Sequence, residues 1–566
     1  MKLVVVGGVA GGASAAARVR RLDAKAEIVM FEKGEHVSFS NCCLPYHLSE
    51  TVENSESLVL MNPTKFKKSH NIIARTNSEV IAINRDRKTV TVKDLVNQET
   101  YEESYDKLVL ATGANPILPK NITGIDKEHV FTLRNVTDVR MIKDYVDQEG
   151  IDNIAVIGGG FIGVEVAENL KKAGKHVSLI EGAEQIMAPF DYDMVQILHK
   201  EMLDNGVALE VNTTLKAIED DSITVVKNGV EKSIKADVVI MAIGVMPETT
   251  LAKQANLAIG ETKGIKVNQH YQTSDPDIYA VGDAVEIFNA LTHKVGRLAL
   301  AGPAQRQAHA AADHMYGIPH NNKGFIGSSC IRLFNQNAAT TGLSEKSAKA
   351  NGYSYDSVLI FPTDKVGLMP GSNYMAFKLI FEVPTGRILG AQAIGKGNVD
   401  KRIDVIATMI TMHGTLEDLK ELELCYSPVF GTAKDVVNMA AFVGLNVLYG
   451  RMKQVHVNEV RGLVESKAYI VDVREEKEFA NGHLNGAYNI PLSQLEERMH
   501  EIPKDVPVYL HCRSSQRSYY AICRLQGNGY HNVTNISGSY LGISLYEYFN
   551  DVIENRTPIL DKYNFK

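Results

Sequence analysis

From Met1 to about Gly327 the chain alternates short β-branched, apolar runs with alanine-rich stretches of helical spacing. That is the pattern of strands followed by crossover helices in α/β folds. Leu3–Val6 runs through glycines into a predicted helix from Gly11 onward, and Asn153–Ile157 leads into a second glycine turn. From about Phe325 to Leu445 the texture becomes mixed α+β, with no further turn of this kind. A second shift falls at Gly444–Lys453. After it, YIVDVREEKEF and VYLHCRSSQRS form two strand-to-loop units in about 110 residues, the size of an independent small α/β domain. There is no short-period repeat; the two glycine turns, about 150 residues apart, imply two copies of one nucleotide-binding unit.

At about 150 residues per domain, 566 residues suggest three or four domains. Hydrophobic residues at 45% and charged residues at 22% exclude disorder and low complexity. Lys+Arg 60 against Asp+Glu 67 gives a net charge of −7 without a basic block, so no nucleic-acid partner is expected. Six cysteines cannot staple so long a chain and read as reduced, intracellular thiols. No Cys/His cluster has metal-ligand spacing, so no metal is expected, and Cys330, Cys425 and Cys523 read as core thiols. No uninterrupted apolar run is long enough to span a membrane. The start, MKLVVVGGVAGGASAAA, loosely imitates a signal peptide, but its glycines and the following Arg18 and Arg20 suit a turn and helix better. The expected location is cytoplasmic.

A dinucleotide site needs a tight glycine turn, backbone access to a pyrophosphate and a helix N-terminus aimed at it. An acid some 20 residues later binds the ribose hydroxyls. Gly158, Gly160 and Gly163 meet this after Asn153–Ile157, and Glu181 closes the next strand, HVSLIE. A negative end residue repels a 2′-phosphate, which favours NADH and leaves NADPH as the alternative. In the first turn Gly7 and Gly12 hold the outer places, flanked by Gly8 and Gly11, but Val9 occupies the middle one; Glu32 ends the next strand. Further segments end strands in small-residue turns: LVLATGANP (with Ala111, Thr112 and Gly113), VVIMAIGVMP (with Gly244) and DIYAVGDAVE (with Gly282 and Asp283).

The order GGVAGG, ATGA, GGGFIG, AIGVMP, YAVGDA resembles the two-dinucleotide flavoprotein disulfide reductase superfamily over roughly Met1–Leu445. The resemblance implies FAD in the first unit, with Glu32 on its ribose and Asp283 on its ribityl chain, and NAD(P)H in the second. The implied division is an FAD-binding domain over 1–115 and 250–325, an NAD(P)H-binding domain over 116–249 and an α+β dimerisation domain over 326–445. A linker over 446–454 would then lead to a further α/β domain over 455–566.

Many members of that superfamily use a C-x4-C disulfide, which this chain lacks: His47 and Leu48 stand five residues past Cys42 and Cys43. The segment S-F-S-N-C-C-L-P-Y (Ser38–Tyr46) instead resembles coenzyme A-disulfide reductases, which carry one redox cysteine, here Cys42. Pro45 suits the first turn of a helix, whose N-terminus would favour the Cys42 thiolate. Cys43 reads as a small buried thiol standing for Gly or Ala; a second redox thiol is the alternative, although a bond between adjacent cysteines forces a strained ring. By the same resemblance Ser14, Arg18, Arg21, Ser38, Asn41 and His70 (in place of a family lysine) bind coenzyme A. Tyr426 and Lys434 would reach the active site across a homodimer with shared sites. Where the family has a tyrosine, this chain reads V-G-L-M-P-G, with Leu368 and Met369. Losing a proton donor for a departing thiolate disfavours plain disulfide reduction and leaves persulfide or polysulfide, whose leaving groups need less acid assistance.

D-V-R-E-E-K-E-F-A-N-G-H-L-N-G-A-Y-N-I-P (Asp472–Pro491) followed by H-C-R-S-S-Q-R-S (His511–Ser518) resembles the rhodanese sulfurtransferase domain. The loop from Cys512 to Arg517 follows a strand and leads into a helix, so its N–H groups and the helix dipole can hold a thiolate or persulfide anion. Arg513 and Arg517 add positive charge for an anionic donor. Phosphatase loops share the plan, but six loop positions favour sulfur over their roomier seven. Ser515 replaces a frequent glycine, and Asp472 and Arg474 read as structural partners of the loop. The expected function is FAD- and NAD(P)H-dependent reduction of small sulfur substrates, coenzyme A persulfide or polysulfide, through Cys42, with Cys512 carrying sulfane sulfur. Coenzyme A-disulfide reduction and NADH oxidase or peroxidase chemistry are the alternatives.

Overall fold

The computed structural model describes residues 1–565, which divide into two compact units: 1–184 with 207–325, and 185–206 with 326–565. The first unit repeats one plan twice. A parallel sheet runs in the order Ile278–Ala280, Lys107–Leu110, Lys2–Val6, Glu27–Phe31, Ile73–Arg75. A second parallel sheet runs Ala208–Glu210, His176–Ile180, Asn153–Ile157, Val238–Met241, Val130–Thr132. Each is accompanied by a three-stranded antiparallel meander, Ser78–Ser104 and Thr213–Lys235. The central strands are buried along nearly their whole length, as parallel strands covered on both faces must be.

The second unit joins a five-stranded antiparallel sheet to a five-stranded parallel one. The antiparallel order is Ser329–Leu333, Gln336–Gly342, Ile388–Gly395, Met375–Glu382, Tyr355–Ile360. The parallel order is Gln454–Val455, Val533–Ile536, Val508–His511, Tyr469–Asp472, Tyr488–Asn489.

The stretch 446–454, read above as a linker, is built into this unit. Its first residues finish the helix Val436–Leu448, Met452 is buried in the core of the parallel-sheet domain, and Gln454 donates to Ser357 O (2.7 Å) and Asp356 Oδ1 (3.0 Å). Val443 and Val447 of that helix pack on the same core. Burying these apolar side chains outweighs the freedom of a tether.

The segment 185–206, placed by sequence in the nucleotide-binding unit, packs with the second one. Its helix Tyr192–Asp204 lies along Ser539–Glu554, with His199 buried against Phe549 and burial lowering that imidazole to about 3. At its start sits an ionic knot. The amine of Lys378, 1% exposed, lies 2.8 Å from both oxygens of Asp193, 2.8 Å from Glu345 and 3.3 Å from Asp191. Burial disfavours that charge, yet Asp193, Asp191 and Glu345 hold the amine well above its ordinary value, while burial pushes Asp191 up to about 6 despite Lys378.

Lys378→Met should therefore destabilise the second unit by about 3–5 kcal/mol at pH 8, because it strands buried carboxylates. A carboxyl group whose folded value is raised loses stability as pH rises through that value, so the deficit should shrink at pH 5, where Asp191 is protonated. Unfolding midpoints at the two pH values check both; equal deficits would show that the carboxylates do not carry the effect.

Candidate functional site

Both glycine turns are closed by the helix resting on the turn itself. A Cβ on Gly12 would lie 1.8 Å from Gly7 O, and one on Gly163 would lie 1.8 Å from Gly158 O. Gly7 and Gly158 take φ of +99° and +109°, and a Cβ on them would lie 2.1 Å from Ala111 O and 2.4 Å from Ala242 O. Val9 caps the first helix at φ −100°, so the motif's missing glycine costs no backbone strain there. Around Gly160 there is open space where a Cβ would project, as a pyrophosphate cradle requires.

The two acids stand alike. Glu32 accepts from the N–H groups of Gly8 and Gly34 (both 2.9 Å), and Glu181 from those of Gly159 (2.6 Å) and Ala183 (2.7 Å). Ala111 donates its N–H to Val6 O, Gly113 and Gly244 take positive φ, and the Thr112 hydroxyl donates to Glu248 O. Gly282 donates to Gln307 Oε1 (2.7 Å), and burial pushes the neighbouring Asp283 carboxyl up. These residues fit two dinucleotides, FAD at the first turn and NAD(P)H at the second.

Cys42 lies in a single turn, Asn41–Cys43, ahead of the short helix Leu44–Leu48, in which Pro45 stands in the first turn as expected. The expected thiolate-favouring effect of that helix is overridden. Although the residue is exposed at the surface, surrounding protein desolvates the sulfur and pushes its pKa up, and Glu165, Cys43 and Asp283 add to this. Glu165, on the helix Phe161–Lys172, is the residue that sequence reasoning missed. Burial raises its carboxyl to about 7, with Glu168 adding to the rise. Its place two residues after Gly163 was visible; its approach to Cys42 was not. Cys43 is half-buried. Cys330, Cys425 and Cys523, read above as core thiols, are all exposed in the chain.

Of the residues assigned to coenzyme A, Ser14, Arg18 and Arg21 lie on the helix Ala10–Leu22. Arg18 is held by Asp313 at 2.6 Å, and Arg21 lies 3.4 Å from His309 Nε2. Ser38 is tied to the first turn through Gly8 O (2.8 Å), and the Asn41 amide reaches Arg134 O (3.5 Å). His70 ends the helix Pro63–His70 with its Nδ1 buried and unpartnered. Tyr426, exposed, and Lys434, over the Phe442 ring at 5.0 Å, belong to the second unit.

In that unit Cys512, 1% exposed, opens the loop leading into the helix Gln516–Gly527. Ser515 adopts φ +72°, the conformation a glycine favours, and its hydroxyl bonds Ile536 O (3.1 Å). The Cys512 N–H donates to Ser539 Oγ (3.2 Å), and Ser518 Oγ lies 3.8 Å from the sulfur. Arg474 forms paired bonds to the buried Asp472 and stacks on Tyr540 at 3.9 Å. Both loop arginines have protein partners in this arrangement. Arg517 is clamped by both oxygens of Glu478 (2.6 and 2.7 Å), and Arg513 is bound to Tyr374.

Glu165 is neutral below and charged above about pH 7, and its charge disfavours the Cys42 thiolate. Glu165→Gln should therefore lower the thiol's pKa and speed alkylation of reduced Cys42 at pH 8 several-fold. The folded value lies above the ordinary 4.5, so this group's contribution to stability falls as pH rises between 4.5 and about 7. The variant should flatten that slope. An unchanged pH–rate curve for alkylation would show that the carboxylate does not act on the sulfur.

The chain matches the pyridine nucleotide-disulphide oxidoreductase model over residues 1–308, that family's dimerisation domain over 330–436 and the rhodanese-like domain over 456–545. It is 34% identical over 442 residues to the coenzyme A disulfide reductase of Staphylococcus haemolyticus, covering 78% of this chain and 98% of that one. The reduced CoADR-RHD of Bacillus anthracis is 42% identical, with 97% and 98% of the two chains covered and a TM-score of 0.93. A NAD-dependent persulfide reductase from A. fulgidus is 34% identical, with 96% and 100% covered and a TM-score of 0.91. Among the described residues no helix is long and apolar enough to cross a membrane. The chain is thus a flavin-dependent disulfide- or persulfide-reducing enzyme, and it belongs to the pyridine nucleotide-disulphide oxidoreductases of the coenzyme A disulfide reductase type that carry a rhodanese domain.

Proposed function

We propose that the chain reduces coenzyme A persulfide or polysulfide to sulfide at the expense of NAD(P)H, with Cys42 as its single redox thiol. Glu32, Asp283 and the first glycine turn would hold FAD, and Glu181 and the second turn the nicotinamide nucleotide. When bound, FAD supplies the two electrons from the nicotinamide that return Cys42 to the thiolate. That thiolate attacks the inner sulfur of a coenzyme A persulfide; a Cys42–coenzyme A disulfide forms and hydrosulfide leaves. Glu165, about half-protonated near pH 7, would hold a proton beside the reacting sulfur. Ser14, Arg18, Arg21, Ser38, Asn41 and His70 would bind the coenzyme A moiety, with Tyr426 and Lys434 contributed across a homodimer.

The observation that carries this reading is the segment V-G-L-M-P-G, where the family resemblance implies a tyrosine and this chain has Leu368 and Met369. Leu368 there is 90% exposed, and the following tyrosine, Tyr374, is bound to Arg513 of the loop beside Cys512. Leu368 and Met369 themselves offer no acid to protonate a poor leaving group. A persulfide, which expels hydrosulfide, needs none. The rhodanese-like loop points to the same substrate class, because Cys512 sits where a persulfide anion is stabilised by a helix N-terminus of 12 residues.

Parallel steady-state assays of NADH consumption with polysulfide, coenzyme A persulfide, coenzyme A disulfide, oxygen and peroxide test the proposal. The persulfide or polysulfide should give the highest kcat/KM; dominance by peroxide would overturn it. Cys42→Ser should abolish sulfur reduction, while Cys43→Ala keeps most of it; the reverse pattern moves the nucleophile by one residue. For the role of Cys512, Cys512→Ser is the clean variant. Removing the whole domain would expose Val443, Val447, Leu359 and Phe361, which pack on it or beside it. The variant should lose activity with bulky or protein-bound donors and keep it with small persulfides; equal activity with every donor would make the two chemistries independent.

A further inference from the structure

The loop beside Cys512 meets the antiparallel-sheet domain at the Tyr374 side chain. Tyr374 stands at the start of the strand Met375–Glu382, paired to Thr363, with Asp364 and Asn373 bonded backbone to backbone just before it (2.9 Å). Its ring lies under the Arg513 guanidinium at 4.4 Å, and its hydroxyl accepts from Arg513 Nη1 at 2.5 Å. The tyrosine therefore engages both the face and the edge of one cation. Arg517, the other guanidinium of the loop, is clamped by Glu478. Both positive side chains that flank Cys512 thus have protein partners. What remains to attract an anion to the sulfur is the N-terminus of the helix Gln516–Gly527.

From this arrangement we propose that Tyr374 is a specificity-determining residue of the sulfur-transfer site: by clasping Arg513 it withholds that cation from free, doubly charged sulfur donors. A small dianion must break the stacked, hydrogen-bonded pair to gain the guanidinium, so it binds weakly. A donor that brings sulfane sulfur without needing Arg513 meets no such penalty. The clasp thereby biases Cys512 away from inorganic anions such as thiosulfate and toward sulfane sulfur on an organic or protein thiol. The inference rests on the reading of Cys512 as a sulfur acceptor.

The test uses the full-length protein and thiosulfate with cyanide. The Cys512 thiolate attacks the sulfane sulfur, the S–S bond breaks and sulfite leaves with its electron pair. Cyanide then takes the sulfur from the persulfide as thiocyanate and returns the thiolate, with no net oxidation. Tyr374→Ala should lower KM for thiosulfate several-fold with little change in kcat, and the gain should fade at high ionic strength. Tyr374→Phe, which keeps the ring and loses the hydroxyl, should fall between it and the unaltered protein. In an Arg513→Ala background Tyr374→Ala should have no effect on KM. An unchanged or raised KM in Tyr374→Ala, or the same gain without Arg513, overturns the proposal.

A second readout separates this idea from the reading beneath it. The ratio of Cys512 alkylation by anionic iodoacetate to that by neutral iodoacetamide, followed by mass spectrometry, should rise in Tyr374→Ala whether or not the site transfers sulfur. A rise without any thiocyanate formation would discard the sulfurtransferase reading and keep the clasp. An unchanged ratio discards the clasp.

Discussion

Both nucleotide sites depend on a contact that tolerates no side chain: a helix laid directly on the carbonyl of its own turn, with a Cβ on Gly12 or Gly163 coming within 1.8 Å of the Gly7 or Gly158 oxygen. This closeness aims each helix N-terminus past the turn and lets the next strand deliver its acid back to the turn's amides. Glu32 and Glu181 do so at 2.6–2.9 Å. The middle position of the motif is less constrained. Gly160 faces open space and Val9 keeps a negative φ, so a substitution there shapes the cradle without disturbing the packing beneath it.

In the second unit the organising interaction is electrostatic. A fully buried amine is tolerable only with its charge answered several times over, and Lys378 recruits Asp191 and Asp193 at the start of one helix and Glu345 at the start of another. Asp191 also bonds Gln392 of the adjacent strand. The knot fixes the segment 185–206 against the antiparallel sheet, and that segment's helix in turn packs on Ser539–Glu554 of the parallel-sheet domain. The two domains of this unit are consequently held by ionic, apolar and aromatic contacts rather than by a tether.

The same economy of charge governs the sulfur loop. Ser515 supplies in one residue the left-handed turn and a hydroxyl that ties the loop to Ile536, while Glu478, Asp472 and Tyr374 each take up a guanidinium. Cys512 is left in the apolar core of its domain beside the Ser518 hydroxyl, ahead of the N-terminus of the helix Gln516–Gly527.

Strand and helix periodicity, the glycine spacing and the acid at the end of the following strand were legible in the chain, because each is a local rule: Asn153–Ile157 and Glu181 stand where the pattern put them. The strand–loop–helix around Cys512 was legible for the same reason, whereas the pairing of Asp472 with Arg474 was not. The exposure of Cys330, Cys425 and Cys523, the burial of Met452 in a stretch that reads as a linker, and the alliance of 185–206 with the second unit were not, since burial depends on what packs from elsewhere. Nor could spacing reveal that burial and Glu165 would raise the Cys42 thiol that a helix N-terminus alone would lower. The sequence by itself determined which groups are present and which turns they sit on. Only the tertiary structure decided their charges and partners, because desolvation and Coulomb interactions depend on distances between residues that the chain separates by more than a hundred positions.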